Sequence, residues 1–140
     1  AEARANVPNT PFLLNGDVTS PELAKKALEI SNCDGVLIAR GALGRPWIFR
    51  QIEHYLETGE KLPDPTMEER INIIKKHARL QVERYGERGL IKLRKHLPWY
   101  FKGFPGWKDI RSKLVRVNTI EELDGILDDI LVEEKEIMTA

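Results

Sequence analysis

Cysteine is nearly missing from this sequence: Cys33 is the only one in 140 residues, which excludes an internal disulfide and a zinc site built on cysteines. No apolar run approaches the roughly 18 residues of a membrane-spanning helix. The first stretch, AEARANVPNTP, lacks the basic and then apolar pattern of a signal peptide and reads instead as the tail of an interrupted helix, as if cut from something longer. These absences point to a cytoplasmic protein with no membrane partner. A net charge is also lacking, since 22 basic and 22 acidic side chains cancel, so the overall balance identifies no partner. His54, His77 and His96 show no ligand spacing, and no metal is expected.

The zero total hides a polar layout. From Glu87 to Arg116 there are nine basic residues against two acidic ones, whereas Val117 to Ala140 holds eight acidic residues and only Lys135. A block so depleted of acid suits a polyanion, and the acidic tail suits a solvated helix face.

Two strand-like stretches lie near the start. Phe12 to Leu14 is a short apolar run ended by Gly16. Ser20 then caps a helix with Pro21 at its first position and Glu22 in its first turn, carried to Ile30 by Leu23, Ala24, Ala27 and Leu28. Gly35 to Ala39 reads as a second strand. After the turn RGALGRP, a helix over Pro46 to Leu56 has Trp47, Ile48, Ile52, Tyr55 and Leu56 as its buried stripe.

Glu57 to Thr66, with two prolines and a glycine, reads as a linker. Beyond it the strand pattern stops. Thr66 with Glu69 makes a capping box for a long helix to Tyr85. Gly86 and Gly89 bracket a turn, and a second helix runs from Leu90 through Trp99, Tyr100 and Phe101 with a kink at Pro98. A third spans Trp107 to Val115, and Thr119 with Glu122 caps a last helix to Ile137. The expected fold is mainly α: a C-terminal α-helical bundle, residues 61–140, preceded over residues 1–60 by the last two βα units of a (β/α)8 TIM barrel. At 140 residues the chain is too short for a whole barrel, which takes roughly 250. Two parallel strands do not make a self-sufficient sheet, so the first part reads as a remnant.

Both strands end in corners of suggestive composition, Asn15-Gly16-Asp17 and Ala39-Arg40-Gly41. A phosphate at such strand ends needs small residues whose N–H groups can come close, and an arginine for charge-assisted bonds. Singly, Asn-Gly-Asp is a turn sequence and Arg40 a surface side chain. The pair says more, because the two corners lie one βα unit apart at the same edge of the sheet, where barrels commonly hold phosphate.

The segment NGDVTSPELAKKALEISNCDGVLIARGALGRPWIF resembles the end of the flavin-binding barrel of tRNA-dihydrouridine synthases, and RKHLPWYFKGFPG with its following basic helix resembles their C-terminal helical domain. The likeness runs from about Pro11 to Leu127. It implies that Asn15, Gly16 and Asp17 contact FMN and that Ala39 and Arg40 hold its phosphate, alanine standing where the family usually has glycine. It further implies reduction of the C5–C6 bond of specific uridines in tRNA, with NADPH as electron donor and a cysteine acid from a part of the barrel not present here. Cys33 does not match that acid, so no catalytic residue is expected in this chain. A monomer acting on tRNA is the corresponding expectation.

In the basic half, Arg88, Lys92 and Lys95 fall at i, i+4 and i+7 on one helix face, opposite Leu90, Leu93 and Leu97. Arg94, Lys102, Lys108, Arg111 and Lys113 extend the positive surface, giving the RNA-binding candidates together with His96, which suits a phosphate contact and a core edge equally. Trp99, Tyr100, Phe101, Phe104 and Trp107 are expected mostly inside, with Tyr100 and Trp107 left open to base stacking. Two other readings compete. One is another FMN- or phosphate-binding barrel oxidoreductase. The second is a freestanding RNA-binding module, since GALG resembles the GxxG loop of KH domains, although it lacks basic residues between its glycines and leads into the apolar PWIF.

Overall fold

The structure, a computed structural model, describes residues 9–139. The expectation of a helix tail at the N-terminus falls on residues 1–8 and lies outside the described residues. The chain divides into two compact units between Asp64 and Pro65. It is mainly helical, with strands only in the first unit among the described residues.

In the first unit, β1 (Leu13–Asn15) and β2 (Gly35–Leu37) pair in parallel, with Leu13 opposite Gly35 and Asn15 opposite Leu37. Asp34 clamps the entry to both strands: its carboxylate accepts from the Phe12 N–H at 2.7 Å and its own N–H donates to the Phe12 carbonyl at 2.9 Å. Between the strands runs α1 (Pro21–Ser31). The Ser20 hydroxyl accepts from the Leu23 N–H as anticipated, and Asn32 ends the helix in the left-handed region with φ 52°. After β2 comes a 3-10 turn at Arg40–Ala42 and then α2 (Ile48–Thr58). Val18, Ala24, Ile48 and Ile52 form the core, with Val36, Ile38 and Ala42 packed against it.

Three expectations need correction here. The second strand is shorter than read from sequence, ending at Leu37 and not Ala39, the first keeps its length but lies one residue further on, and neither is buried: Leu13 is 56% and Leu37 46% exposed. A parallel strand is buried on both faces only when neighbouring strands and helices cover it, and among the described residues this sheet has two strands. The stripe of α2 includes buried Gln51 and leaves Leu56 exposed. Finally, the expected linker begins as helix through Thr58, and its far end is tied back, because the Gln51 amide donates to Asp64 at 2.9 Å and to the carbonyl of Pro63 at 3.3 Å.

The second unit opens with α3 (Met67–Tyr85). Its capping box is formed as expected: the Glu69 N–H donates to the Thr66 hydroxyl at 3.2 Å and the Thr66 N–H to the Glu69 carboxylate at 2.8 Å. Then follow α4 (Glu87–Leu93), a 3-10 turn at Leu97–Phe101, α5 (Trp107–Leu114) and α6 (Ile120–Thr139). Helix α3 packs on α4 and α6, and α5 packs on the 3-10 turn and α6. Ile74, Leu97, Phe101, Leu114, Leu123 and Leu127 are fully enclosed.

The expected single helix from Leu90 to Phe101 is two elements. Pro98 stops it because proline has no N–H to donate and its ring collides with the carbonyl four residues earlier, so α4 ends at Leu93 and a 3-10 turn starts at Leu97. Gly89 is inside α4 and does not bracket the turn. Its Cα side lies so close to α3 that an added Cβ would fall 2.1 Å from the Gln81 carbonyl oxygen.

Candidate functional site

Each unit holds one of the groupings anticipated from sequence. In the first, β1 runs out into Asn15, Gly16 and Asp17, all exposed, while the next residue, Val18, is buried and its N–H donates to the Gly16 carbonyl at 2.8 Å. The chain therefore turns sharply on an apolar anchor. β2 runs out through Ile38 into Ala39 and the 3-10 turn, closed by the Ala42 N–H donating to the Ala39 carbonyl at 3.1 Å. The two corners meet, for the Arg40 guanidinium donates to the Asp17 carboxylate. Both side chains remain mostly exposed.

Two glycines mark this corner for different reasons. Gly41 sits under the β1 to α1 loop, where an added Cβ would fall 2.1 Å from the Val18 carbonyl oxygen, so direct backbone packing sets the spacing of the corners. That also removes GALG as a loop open to a nucleic-acid backbone. Gly16 is the reverse case: a Cβ there meets nothing within 4 Å, and its φ is outside the left-handed region. Neither the turn nor a neighbour demands glycine at Gly16, and a group arriving from outside can reach the backbone there. Ala39, also exposed, keeps φ at −103°, so its methyl brings no left-handed strain.

These residues fit a phosphate. Arg40 has five N–H donors in a planar fork, and the bond to Asp17 uses one nitrogen and orients the rest. Two further residues help to hold the corner: Gly41, part of the expected corner but given no role of its own, and Arg45, not singled out from sequence, which donates to the Thr19 carbonyl at 3.3 Å. The Arg-Gly-Ala-Leu-Gly-Arg run was the available signal for both. Cys33 precedes β2 and is half-buried, accepting from the Ser31 hydroxyl at 2.9 Å and donating to the Gly35 carbonyl at 3.1 Å.

In the helical unit, a groove of about 1040 Å³ is lined by His77, Gln81 and Tyr85 of α3, by residues 91–96 and by Val115. It brings together Lys92, Arg94, Lys95 and His96. Arg88, Lys102, Lys108, Arg111 and Lys113 are exposed outside it. Because α4 ends at Leu93, Lys95 lies in the turn beyond the helix face on which it was expected. Arg94 is half-buried and donates to the Val117 carbonyl and the Asn118 side chain, which makes it a tie between segments. Lys92 places its Nζ 5.1 Å from the centre of the Tyr85 ring.

The aromatic assignment reverses in part. Tyr100 is buried and Trp99 is 41% exposed, with the Lys102 Nζ 5.2 Å from a Trp99 ring centre. Tyr100 is inside because its hydroxyl has a partner, the His77 Nδ1 at 2.9 Å. Burial pushes the Tyr100 phenol up to about 12. Burial first and the nearby His96 second push the His77 imidazole below its ordinary value, so at neutral pH both groups are uncharged.

The dihydrouridine synthase (Dus) family model matches residues 1–136. Among curated relatives, "tRNA-dihydrouridine synthase B" of Pseudomonas putida is 47% identical over 113 residues, 80% of this chain and 33% of its own length. "Probable tRNA-dihydrouridine synthase 1" of Synechocystis sp. is 42% identical over 118 residues, 84% of this chain and 33% of its own. A "probable tRNA-dihydrouridine synthase" of Mycobacterium leprae is 38% identical over 130 residues, 91% of this chain and 34% of its own. The chain thus spans about a third of the length of these relatives.

Proposed function

The chain belongs to the dihydrouridine synthase family, and from that membership we propose that it supplies the closing part of an enzyme that reduces uridine to 5,6-dihydrouridine in tRNA. In this reading β1, α1, β2 and α2 are the last two βα units of a (β/α)8 barrel. Exposed Leu13 and Leu37 support it, since further strands would cover them. FMN, when bound, would supply the hydride for the C5–C6 bond, with NADPH as the electron donor. This chain's share is to bind and orient: Asn15, Gly16 and Asp17 on one side and Ala39 and Arg40 on the other would hold the cofactor, Arg40 taking its phosphate. The protonating acid would come from elsewhere in the enzyme.

The helical unit holds the RNA in the same reading. Its basic side chains neutralise phosphates, with Arg94 serving the fold. The observation that carries the cofactor half is the Asp17 to Arg40 contact, which unites two loops 23 residues apart into one polar corner at one sheet edge.

Flavin absorbance of the purified full-length enzyme tests this half: Arg40→Ala should lower the bound flavin, and stoichiometric retention would place the phosphate grip elsewhere. For the RNA half, charge reversal at Lys92 and Lys95 should weaken tRNA binding and flatten its salt dependence. Unchanged affinity at moderate salt would remove the helical unit from RNA recognition.

A further inference from the structure

We infer that the groove of the helical unit receives a single unpaired nucleotide of the bound RNA, its base laid against Tyr85 and its phosphate met by Lys92 and Lys95. This rests on the proposed RNA-binding role and adds which part of the RNA enters. Three observations carry it.

The first is the ring. Tyr85 closes α3, lines the groove and is 53% exposed, and Lys92 Nζ stands over it 5.1 Å from its centre. With the ammonium over one face of the ring, a base laid on the other face would bring its own phosphate within reach of that charge. The second is charge: Lys92, Arg94, Lys95 and His96 line the groove and no carboxylate does. The occupant is therefore an anion or carries one.

Shape and hydrogen-bonding capacity are the third. Duplex phosphates ask only for a positive surface, but this is a groove of about 1040 Å³, just above the about 300–1,000 Å³ usual for small-ligand clefts. His77, Gln81 and Tyr85 follow one another at i, i+4 and i+8, one stripe of α3. His77 and Gln81 are the more buried members. Gln81 offers both a donor and an acceptor. His77, uncharged and bonded through Nδ1 to Tyr100, has its second ring nitrogen left for a ligand. The stripe thus supplies a stacking platform at one end and polar groups able to read a base edge at the other, the way proteins take hold of unpaired RNA bases.

Fluorescence-anisotropy titration of the 140-residue chain with an unmodified tRNA transcript and with a blunt RNA duplex of similar length tests the inference. Tyr85→Leu should weaken tRNA binding about tenfold or more and leave duplex binding unchanged, while Tyr85→Phe keeps the original affinity for both. Circular dichroism checks that the leucine variant is folded. Lys92→Gln with Lys95→Gln should weaken both RNAs. If Tyr85→Leu binds tRNA as tightly as the unaltered chain while the lysine variant is impaired, the nucleotide pocket is overturned and the RNA-binding role stands. Equal losses on tRNA and duplex would also overturn it, by making Tyr85 a backbone contact. If the unaltered chain binds neither RNA, both the pocket and the role fall.

Discussion

The two units satisfy their apolar residues in different ways. The helical unit encloses Ile74, Leu97, Phe101 and Leu127 completely with its own elements, while the βα unit leaves Leu13 and Leu37 about half exposed on a two-stranded sheet. The helical unit also ties distant segments together: Arg79 bonds Asp124 at 2.7 Å, Lys75 bonds Asp128 at 2.7 Å, and Arg70 donates to the Tyr100 carbonyl at 2.7 Å. The βα unit concentrates its polar contacts at the strand ends and along the segment up to Asp64. The difference teaches that the helical unit builds its larger core and its groove from its own elements, while in the proposed reading the two strands of the βα unit call for neighbours.

The largest effect should separate the units outright. Phe101→Ala is expected to cost about 3–5 kcal/mol in urea unfolding, because an enclosed ring leaves a cavity. Leu37→Ala in this chain should cost well under that, yet become costly in the full-length enzyme, where the strand would be covered. Equal penalties for Leu37→Ala in both settings would erase the contrast.

A smaller effect tests the corner itself. Gly41→Ala must displace the loop at Val18 and should destabilise by about 1–3 kcal/mol, whereas Gly16→Ala has room for its methyl and should leave stability nearly unchanged. In the full-length enzyme Gly16→Ala should still lower flavin content. A Gly16→Ala enzyme with full flavin would mean that nothing approaches that backbone.

Smaller again is the helix cap. Thr66→Ala removes the hydroxyl that accepts from the Glu69 N–H and should cost about 1 kcal/mol, read from the urea midpoint of the helical unit. No change would show that the capping box adds nothing.

The last effect is graded with pH. His77 is held below its ordinary value of 6.5, so the unfolded chain takes a proton more readily than the folded one. Its contribution is complete above that ordinary value and is lost as pH falls through the lowered folded value. Denaturation midpoints should fall between pH 7.5 and 5.5 by more in the parent than in His77→Asn. Identical slopes would place the titration on other groups.

Much of this was legible in the sequence where the cause is local. Ser20 before Pro21, Thr66 with Glu69 and Thr119 before Glu122 are caps whose partners lie three residues away, and each forms. The two strand-end corners were also visible, ordinary turn sequences singly and informative only because they recur one βα unit apart. What stayed hidden depends on distant segments. That Arg40 would face Asp17 needed the register of β1 on β2, and the burial of Tyr100 in place of Trp99 needed His77, 23 residues earlier. The groove was not readable either, because Tyr85 and Lys92 lie on helices whose approach is set by Gly89 against the Gln81 carbonyl. Pro98 was legible as a disturbance, and only the carbonyl it opposes turned the kink into a stop.

Titrating the 140-residue chain with FMN and, separately, with a tRNA transcript at two salt concentrations puts the division of labour to direct test. The predicted result is salt-sensitive tRNA binding without FMN retention, because in the proposed reading the helical unit would bring its basic surface entire and the barrel unit only part of the cofactor's contacts. Tight FMN binding by this chain, or indifference to tRNA at low salt, would contradict it.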